Sequence, residues 1–526
     1  MKKALIFSLI AMTNLYSEFY YSQGREINLT PIENNHHIKR ENRLFFKDNH
    51  NNTIAISNEI LIKYKDISKK EEIEKEYDLT FIKSISKGIY LYKVPKKEQS
   101  LNISNTLYNL KESIKYAHPN FIKTKKRRTN DPLFSSSWHL KNSGYNSDNE
   151  DLTAGADIDV EGAWDITKGE GVKVGVIDDA IDIYHEDLKE NIEGYRNFAD
   201  PNSDIPSPND DEWHGTSSAG LIVAQENDKG SVGIAPKAKL YAIKYGTDTA
   251  SDIESFMWLD KQGVSIISNS WGTGHIDDAL QDAFETLTVL GRDGKGTIIL
   301  FASGNDSLDY DAENNADIDD ESESPFVFSI GATSGRDTIE SYSNYGSSLD
   351  FVAPGGSGSI VTTDVSGSRG YNSGNYNNNF SGTSAATPIV AGVIALMLSA
   401  NPNLTRDDVY EILKGSSDKV GNDNYDNQGH NNKYGYGRVN ARKAVSEASN
   451  LMQTVLYPPT KLTFTDITAH SVKLNWNDNT NIESGYKIYR DNILIHKTSA
   501  NQTSYTDSNL NQNRSYKYTI KATDDE

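Results

Sequence analysis

The sequence predicts an α/β protein in which a largely parallel sheet carries helices on both faces, with a small α+β unit before it and an all-β sandwich after it. Its 526 residues are enough for about three domains. In the middle of the chain, apolar runs lie at residues 172–177, 240–243, 266–268, 297–302 and 326–330. Helical patterns separate these runs, and such alternation is typical of a parallel sheet covered by helices.

The first residues have the pattern of an export signal. Met1, Lys2 and Lys3 precede the apolar run 4–12, which is long enough for a signal-peptide core and too short to span a bilayer. We therefore expect residues 1–24 to be a signal peptide, and the protein to be secreted or delivered to the periplasm or cell surface. The best later apolar run, 389–398, suits a buried helix, so no membrane anchor is expected.

Residues 25–128 form the predicted α+β unit. Strand patterns lie at 59–64 and 88–94, and helical patterns at 68–77 and 104–116. This segment holds 22 basic and 13 acidic side chains, net +9, whereas residues 129–526 hold 29 and 60, net −31. Opposite charges favour docking of the two parts.

Short alternating strands after Pro459 predict the all-β sandwich, over residues 457–526. They lie at 462–467, 472–476, 486–490, 493–496 and 516–521. The pattern resembles a fibronectin type III module, with Trp476 as its core tryptophan and Leu510 and Tyr516 as its tyrosine-corner pair. The last strand of such a module would begin at Glu526, so we expect either that the chain is cut short or that the module is incomplete.

Composition excludes several kinds of chemistry. The chain has no cysteine, which excludes disulfides, iron–sulfur clusters, thiolate zinc sites and cysteine nucleophiles. A net charge of −21 argues against binding to nucleic acid, whose phosphates require basic surfaces. Serine, histidine and carboxylate side chains remain as the candidates for catalysis.

Three short segments carry such side chains in the order Asp, His, Ser. They are 174–178, ending at Asp178; 214–220, beginning at His214; and 382–388, which contains Ser384. Singly, each has a structural explanation: a capping aspartate, a structural histidine and a helix N-cap serine. Together they supply what peptide-bond attack requires, namely a hydroxyl nucleophile, an imidazole base and a buried carboxylate that orients the imidazole.

Asn305 is a fourth candidate. It ends the segment Phe301-Ala-Ser-Gly-Asn, directly after a predicted strand, and its amide is able to donate a hydrogen bond to a developing oxyanion. A turn asparagine after glycine is the structural alternative.

These segments resemble the subtilisin family of serine proteases over roughly residues 130–450. The resemblance implies Asp178, His214 and Ser384 as a catalytic triad, Asn305 as oxyanion donor, and a peptidase domain at 129–450. An α/β-hydrolase is disfavoured, because Ser384 lies in Gly-Thr-Ser-Ala-Ala and comes last in the order. Subtilisins usually have Ser-Gly after the aspartate and the kexin and furin branch has Asp-Gly, whereas this chain has Asp179-Ala180.

The resemblance also implies that residues 25–128 are a pro-domain that assists folding, inhibits the active site and is released by self-cleavage. The run Lys125-Lys126-Arg127-Arg128 then indicates cleavage after paired basic residues. Asp179 and the nine acidic residues within 306–323 are candidates to bind the basic side chains; a solvated charge run or a calcium loop is the alternative. Thr273-Gly274-His275 departs from the acidic stretch of furin-like enzymes at this place.

Two further sites follow from the resemblance. Ser270, Trp271 and Gly272 match the family's edge strand that pairs with extended substrate, although Trp271 also suits core packing. Calcium is the implied structural cofactor. The alternative role for Asp187, the first of the implied ligands, is that of a helix cap. The implied ligands are Asp187, Gln225, Asn227, Lys229 and Ser231.

The leading hypothesis is a secreted, self-processed serine endopeptidase, expected to be a monomer, that acts on proteins or peptides and has its own pro-domain as an inhibitor. Two alternatives remain open. One is a degradative subtilisin of broad specificity; the other is an adhesion protein in which the sandwich binds and the protease fold is inert.

Overall fold

The computed structural model describes residues 18–22, 25–31, 44–47, 53–86, 88–123, 129–145, 151–315, 319–356, 360–421, 423–480 and 482–524. The predicted signal core and the basic run 125–128 lie outside these residues. The chain divides into two compact units, residues 1–128 and 129–526. Each unit is described by itself.

Unit 1 contains two antiparallel sheets and two short α-helices. Its strands are β1 Glu18–Ser22, β2 Arg25–Pro31, β3 Leu44–Lys47, β4 Thr53–Ile56, β5 Glu59–Tyr64, β6 Thr80–Ser86, β7 Ile89–Lys93, β8 Ile114–Pro119 and β9 Ile122–Lys123. Its helices are α1 Lys70–Glu76 and α2 Ser100–Tyr108. The sheets have the orders β1-β2-β3-β4-β9 and β6-β7-β5-β8. Alternate residues of β5, Ile60 and Ile62, are fully buried in the core of the second sheet.

The predicted helix at 104–116 is wrong in its second half. Helix α2 ends at Tyr108, and residues from Ile114 form strand β8, which pairs with β5. Pairing buries Ile114 and Ala117 in the sheet core, and this long-range contact outweighs the local helical pattern.

A seven-stranded sheet is the centre of unit 2, with the order β11-β12-β10-β13-β14-β15-β16. Its strands are β10 Lys173–Asp178, β11 Ile192–Asn197, β12 Lys239–Lys244, β13 Ile266–Asn269, β14 Ile298–Ala302, β15 Phe328–Thr333 and β16 Phe351–Pro354. Every pair of neighbours is parallel. The predicted parallel α/β fold is therefore confirmed.

Helices cover both faces of this sheet. They are α3 Val160–Ala163, α4 His214–Val223, α5 Thr249–Lys261, α6 Asp278–Gly294, α7 Thr383–Ala400, α8 Arg406–Ser416 and α9 Ala441–Thr454. Val174 and Val176 of β10 belong to the core shared with α4 and α7, whereas Ile177 belongs to the core shared with α5 and α6. Neighbouring residues of a strand point to opposite faces, so β10 is buried on both sides.

Helix α7 is the one helix among the described residues that is apolar and long enough to cross a membrane. Its apolar window is 89% buried inside the protein, so it is a core helix. An antiparallel hairpin, β17 Ile360–Gly367 and β18 Gly374–Phe380, precedes it.

The C-terminal part of unit 2 is the predicted sandwich of two antiparallel sheets, β19-β20-β23 and β22-β21-β24. The strands are β19 Thr460–Thr465, β20 Ser471–Asn477, β21 Gly485–Arg490, β22 Ile493–Lys497, β23 Ser504–Ser508 and β24 Tyr518–Thr523. Trp476 is buried against Tyr486, with ring centroids 5.4 Å apart. The Tyr516 hydroxyl accepts a hydrogen bond from the Asn511 amide at 2.8 Å, as in a tyrosine corner.

Candidate active site

The candidate residues meet at the carboxyl edge of the central sheet. Asp178 ends β10, Ser270 directly follows β13, and Asn305 lies three residues after β14. These three strands are neighbours and parallel, so their carboxyl ends lie side by side. His214 and Ser384 are the first and second residues of α4 and α7.

Asp178 and His214 form a direct contact. His214 Nδ1 lies 2.8 Å from Asp178 Oδ1, and the Asp178 side chain is 3% exposed. Burial lowers the pKa of His214, but the charges of Asp178 and Asp179 and the hydrogen bond to Asp178 outweigh it, so the pKa is raised overall. The contact therefore fixes the orientation of the imidazole and favours its protonated form.

Side chains of the β17–β18 hairpin hold helix α4 in place. Thr362 Oγ1 donates to the Ser217 carbonyl and Thr363 Oγ1 donates to the Thr216 carbonyl, each at 2.7 Å. Ser217 Oγ donates in return to the Thr363 carbonyl at 3.0 Å. A Cβ on Gly220 would lie 2.1 Å from Thr363 Oγ1, so this approach requires glycine.

Asp179 contacts the start of α4. Its Oδ1 accepts from the Gly215 amide at 2.8 Å and from the Ala180 amide at 2.6 Å, and its Oδ2 accepts from the His214 amide at 3.2 Å. Burial, and then the charge of Asp178, raise the pKa of Asp179 to about 6. The carboxylate predicted to bind substrate thus satisfies backbone groups at a helix N-terminus.

Ser384 is 8% exposed, and its hydroxyl donates to the Ser270 carbonyl at 3.3 Å. Ser270 Oγ donates to the Ser384 carbonyl at 3.0 Å, so the two serines bind each other reciprocally. These two hydrogen bonds join the start of α7 to the end of β13.

Asn305 is exposed, and the start of α7 fixes its amide. Its Oδ1 accepts from the Thr383 amide at 2.9 Å and from Thr383 Oγ1 at 3.1 Å. Because the oxygen is engaged, the Nδ2 donor is the end of the amide that remains for a ligand.

The segment after β13 is braced on both sides. Trp271 Nε1 donates to the Ile177 carbonyl at 2.9 Å, and its ring packs edge-on against Phe301 at 5.2 Å. Asp320 Oδ2 accepts from the Gly274 amide at 3.0 Å, and a Cβ on Gly272 would lie 2.6 Å from it. Trp271 is therefore a packing residue, while Asp320 places a buried carboxylate beside Gly272.

The five residues proposed for calcium come together around Asp187, which is fully buried. Asp187 Oδ1 lies 3.0 Å from Asn227 Nδ2, and Asp187 Oδ2 accepts from the Ser231 amide at 3.2 Å. The Gln225 amide donates to the Asp187 carbonyl at 2.9 Å, and the Lys229 amide donates to Asn227 Oδ1 at 3.0 Å.

The sequence did not point to Asp131, which the structure adds to this loop. Asp131 is 4% exposed, and its Oδ1 accepts from the Asn227 amide at 3.1 Å and the Lys229 amide at 3.2 Å. Tyr376 from β18 lies against the same loop, since a Cβ on Gly230 would be 1.9 Å from its ring. Both contacts join distant parts of the chain, so no local spacing indicates them.

These residues fit a hard cation. Burial raises the pKa of Asp187, and it outweighs the hydrogen bonds and the charge of His185, which lower that pKa. Carboxylate and amide oxygens are the ligands that calcium prefers. Within the described residues there is no group of three or more His, Asp or Glu side chains arranged for a metal, so amide and backbone oxygens would have to complete the coordination.

A parallel sheet with Asp178 at the end of β10, and with His214 and Ser384 at the starts of the covering helices α4 and α7, has the subtilisin-like fold. The serine protease of Aeromonas sobria shares this fold, with a TM-score of 0.56 and 21% identity over 76% of this chain and 90% of that chain. The Subtilase family profile matches residues 169–437, the Fibronectin type III domain matches 457–526, and the Fervidolysin N-terminal prodomain matches 48–120. The chain therefore belongs to the subtilase family.

Two curated relatives carry informative names. The Calcium-dependent protease of Trichormus variabilis is 32% identical over 458 residues, which is 80% of this chain and 65% of that protein. The Dibasic-processing endoprotease of Yarrowia lipolytica is 34% identical over 343 residues, covering 60% of this chain and 34% of that protein. The chain thus spans just under two thirds of the first relative's length.

Proposed function

We propose that the protein is a serine endopeptidase in which Ser384 attacks the peptide carbonyl, His214 accepts its proton, and Asp178 orients the imidazole. The contact of 2.8 Å between His214 Nδ1 and Asp178 Oδ1 carries this proposal. It leaves Nε2 as the nitrogen that faces the nucleophile, and it stabilises the imidazolium formed when the proton arrives.

Asn305 supports the same reaction from the other side. As the carbonyl oxygen of the substrate becomes negative, Asn305 Nδ2 donates a hydrogen bond to it, and Thr383 holds the amide in that orientation. His214 then returns the proton to the leaving amine, and water hydrolyses the acyl-enzyme.

A comparison of Ser384→Ala with Ser446→Ala tests the proposal. Both replace a helical serine, but Ser446 lies in α9, away from the sheet edge. We expect Ser384→Ala to abolish peptide hydrolysis and labelling by a phosphonate that reacts with active serines, and Ser446→Ala to retain both. Hydrolysis by purified Ser384→Ala would contradict the proposal, whereas absence of hydrolysis by the purified wild type would favour an adhesion role for this fold.

We propose further that the enzyme prefers to cleave after paired basic residues. The name of the Yarrowia relative and the run 125–128 support this preference. So does Asp320, whose buried carboxylate lies beside Gly272. Glu323 Oε2 accepts from the Asp320 amide at 3.4 Å. Burial and then the neighbouring carboxylates, among them Asp320, raise the pKa of Glu323 to about 7, and a bound cation would favour its ionised form.

Peptides that differ only before the scissile bond test this preference. Lys-Arg peptides should be cleaved at least ~10-fold faster than Phe or Leu peptides. Asp320→Asn should reduce this rate ratio ~10-fold, which corresponds to ~1.4 kcal/mol. Equal cleavage of all peptides would instead indicate a degradative enzyme of broad specificity. Asp311→Asn is a control, because Asp311 binds Ser347 and Asn432.

The pro-domain match supports self-processing after Arg128 and inhibition by the released segment, and the apolar run 4–12 supports secretion. We expect wild-type protein to yield a mature chain that begins at Thr129, which mass spectrometry measures, and purified Ser384→Ala to stay uncut. Loss of the segment from purified Ser384→Ala would contradict self-cleavage.

Calcium is the proposed structural cofactor, held by Asp187, Asn227 and Gln225 together with backbone oxygens of Lys229 and Ser231. Asp131 would join this set. The ion would neutralise the buried carboxylate of Asp187 and fix the loop that follows α4. The name of the Trichormus relative supports the assignment.

A further inference from the structure

A polar cavity of about 590 Å³ lies in unit 2, away from the candidate active site. Its lining residues come from the segments that precede β10, β13 and β14, and from β19 of the sandwich. The cavity therefore lies at the amino-terminal ends of three central strands, where Leu398 near the end of α7 and Pro402 just after it also line it, and the sandwich contributes Lys461. Six of the lining side chains are ionisable: Lys173, Arg292, Lys295, Lys461, Asp260 and Asp293.

Two of the four cations have no carboxylate partner among the described residues. Lys461 pairs with Asp293 at 3.6 Å, and Lys173 pairs with Glu193 at 3.3 Å. Arg292 instead donates to the carbonyls of Gly296 and Leu404, at 3.1 and 2.9 Å.

Lys295 donates to the Pro402 carbonyl at 2.9 Å and to Asn403 Oδ1 at 3.4 Å. The cavity lining thus holds four cations against two carboxylates, Asp260 and Asp293, within a segment, 129–526, whose net charge is −31.

The backbone around these cations is unusual. Arg292 and Asp293, at the end of α6, have φ values of 54° and 58°, and Lys461 has a φ of 53°. This left-handed conformation is unfavourable for residues with a Cβ, and it concentrates where the surrounding structure enforces it. Three such residues line the same cavity.

Two cations of the cavity lining, Lys295 and Arg292, have lowered pKa values. Burial and then the charge of Arg292 lower the pKa of Lys295; the charge of Asp293 partly offsets this, and that of Lys461 lowers the pKa further. Burial also lowers the pKa of Arg292 to about 10. An anion placed among these groups would relieve both effects.

We propose that this cavity binds a small oxyanion, a carboxylate or phosphate group, through Arg292 and Lys295 of the catalytic body and Lys461 of the sandwich. Because the ligand contacts both modules, it fastens the sandwich to the amino edge of the central sheet. The proposal goes beyond the proposed function, since neither the triad nor substrate specificity enters into it.

Calorimetric titration of the full chain tests the proposal, with Ser384→Ala included to prevent self-digestion and with calcium held constant. Sodium sulfate and sodium succinate are the two probes, and sodium chloride at equal ionic strength is the reference. We expect saturable binding of one anion per chain and a melting temperature raised by about 2 °C or more. Stronger binding of sulfate would indicate a phosphate ligand, and stronger binding of succinate a carboxylate ligand.

The double variant Lys295→Gln/Lys461→Gln should weaken binding at least ~10-fold, since it removes two of the three proposed contacts. Lys433→Gln/Lys517→Gln removes two exposed lysines elsewhere and should bind as the parent does. If the double variant is unstable in chloride, Lys461→Gln alone serves, because that side chain is 61% exposed. No saturable binding by the parent, or equal binding by parent and Lys295/Lys461 variants, would overturn the proposal.

Discussion

Gly215→Ala separates the geometry of the Asp178–His214 contact from its chemistry, because it changes neither side chain. A Cβ at Gly215 would lie 2.4 Å from the Ala180 carbonyl oxygen and 2.7 Å from Asp178 Cβ. Carbon–oxygen contacts normally require ~3.3 Å, so the start of α4 must move by about 1 Å. Such a displacement stretches the 2.8 Å bond between Asp178 and His214 beyond hydrogen-bonding distance.

The magnitude follows from the size of this shift. A misplacement of ~1 Å in a catalytic array costs ~10²-fold in rate, and overpacking costs ~1–3 kcal/mol of folding free energy. We therefore expect kcat to fall ~10²-fold and the melting temperature to fall by several degrees. Titration with a covalent serine-directed inhibitor gives the concentration of active enzyme, so that loss of folded protein is not counted as loss of kcat.

Gly415→Ala is the matched control, because Gly415 is also helical and a Cβ there meets no atom within 4 Å. It should leave kcat unchanged and stabilise the chain slightly, since alanine favours helices over glycine by ~1 kcal/mol. If Gly215→Ala has a kcat within ~3-fold of wild type and an unchanged melting temperature, the proposed close packing of α4 on Asp178 is wrong.

Three more predictions follow from the same site. Asn305→Ala should reduce kcat ~10–100-fold, because hydrogen bonds to charged groups contribute ~1.5–3 kcal/mol. Thr383→Val keeps the backbone donor to Asn305 and should reduce kcat only a few-fold. Steady-state kinetics on one peptide compares the two variants. A chelator should lower the melting temperature of the wild type. In Asp131→Asn, the difference in melting temperature between calcium-loaded and chelated protein should be smaller by a few degrees. An equal difference in both proteins would exclude Asp131 from the loop's cation site. Burial and then Asp178 raise the pKa of Asp179 to about 6 from 3.8, so its ionisation destabilises the fold increasingly between about pH 4 and 6. Asp179→Asn should therefore raise the melting temperature at pH 8 and leave it unchanged at pH 4, and a decrease at pH 8 would contradict this sign.

The sequence predicted the strands and the candidate residues best where they depend on neighbours in the chain. The apolar runs placed five of the seven central strands to within three residues at each end, because buried parallel strands consist of continuous apolar residues; they did not indicate β11 and β16. Asp178 and His214 lie at element ends as their motifs indicate, and Asn305 lies three residues after β14; their roles in catalysis stay predictions.

Contacts between distant segments were not predictable. The threonines of β17 that hold α4, and Asp131 at the loop after α4, become neighbours only through the tertiary fold. The predicted helix 104–116 overlaps the first residues of strand β8 for the same reason, since pairing with β5 determines the conformation of that strand. The direction of the Asp179 carboxylate likewise depends on where α4 begins.

The candidate active site and the sandwich lie at opposite ends of the parallel strands of the central sheet. Strands β10, β13 and β14 have four to six residues each, which corresponds to roughly 13–20 Å between their ends. The candidate active site is at one end, and the attachment of the sandwich, marked by Lys461 and Asp293, is at the other. We therefore expect that coupling a surface, a fluorophore or a fusion partner to the sandwich leaves the candidate active site accessible. The sandwich is for this reason the module through which to immobilise the protein.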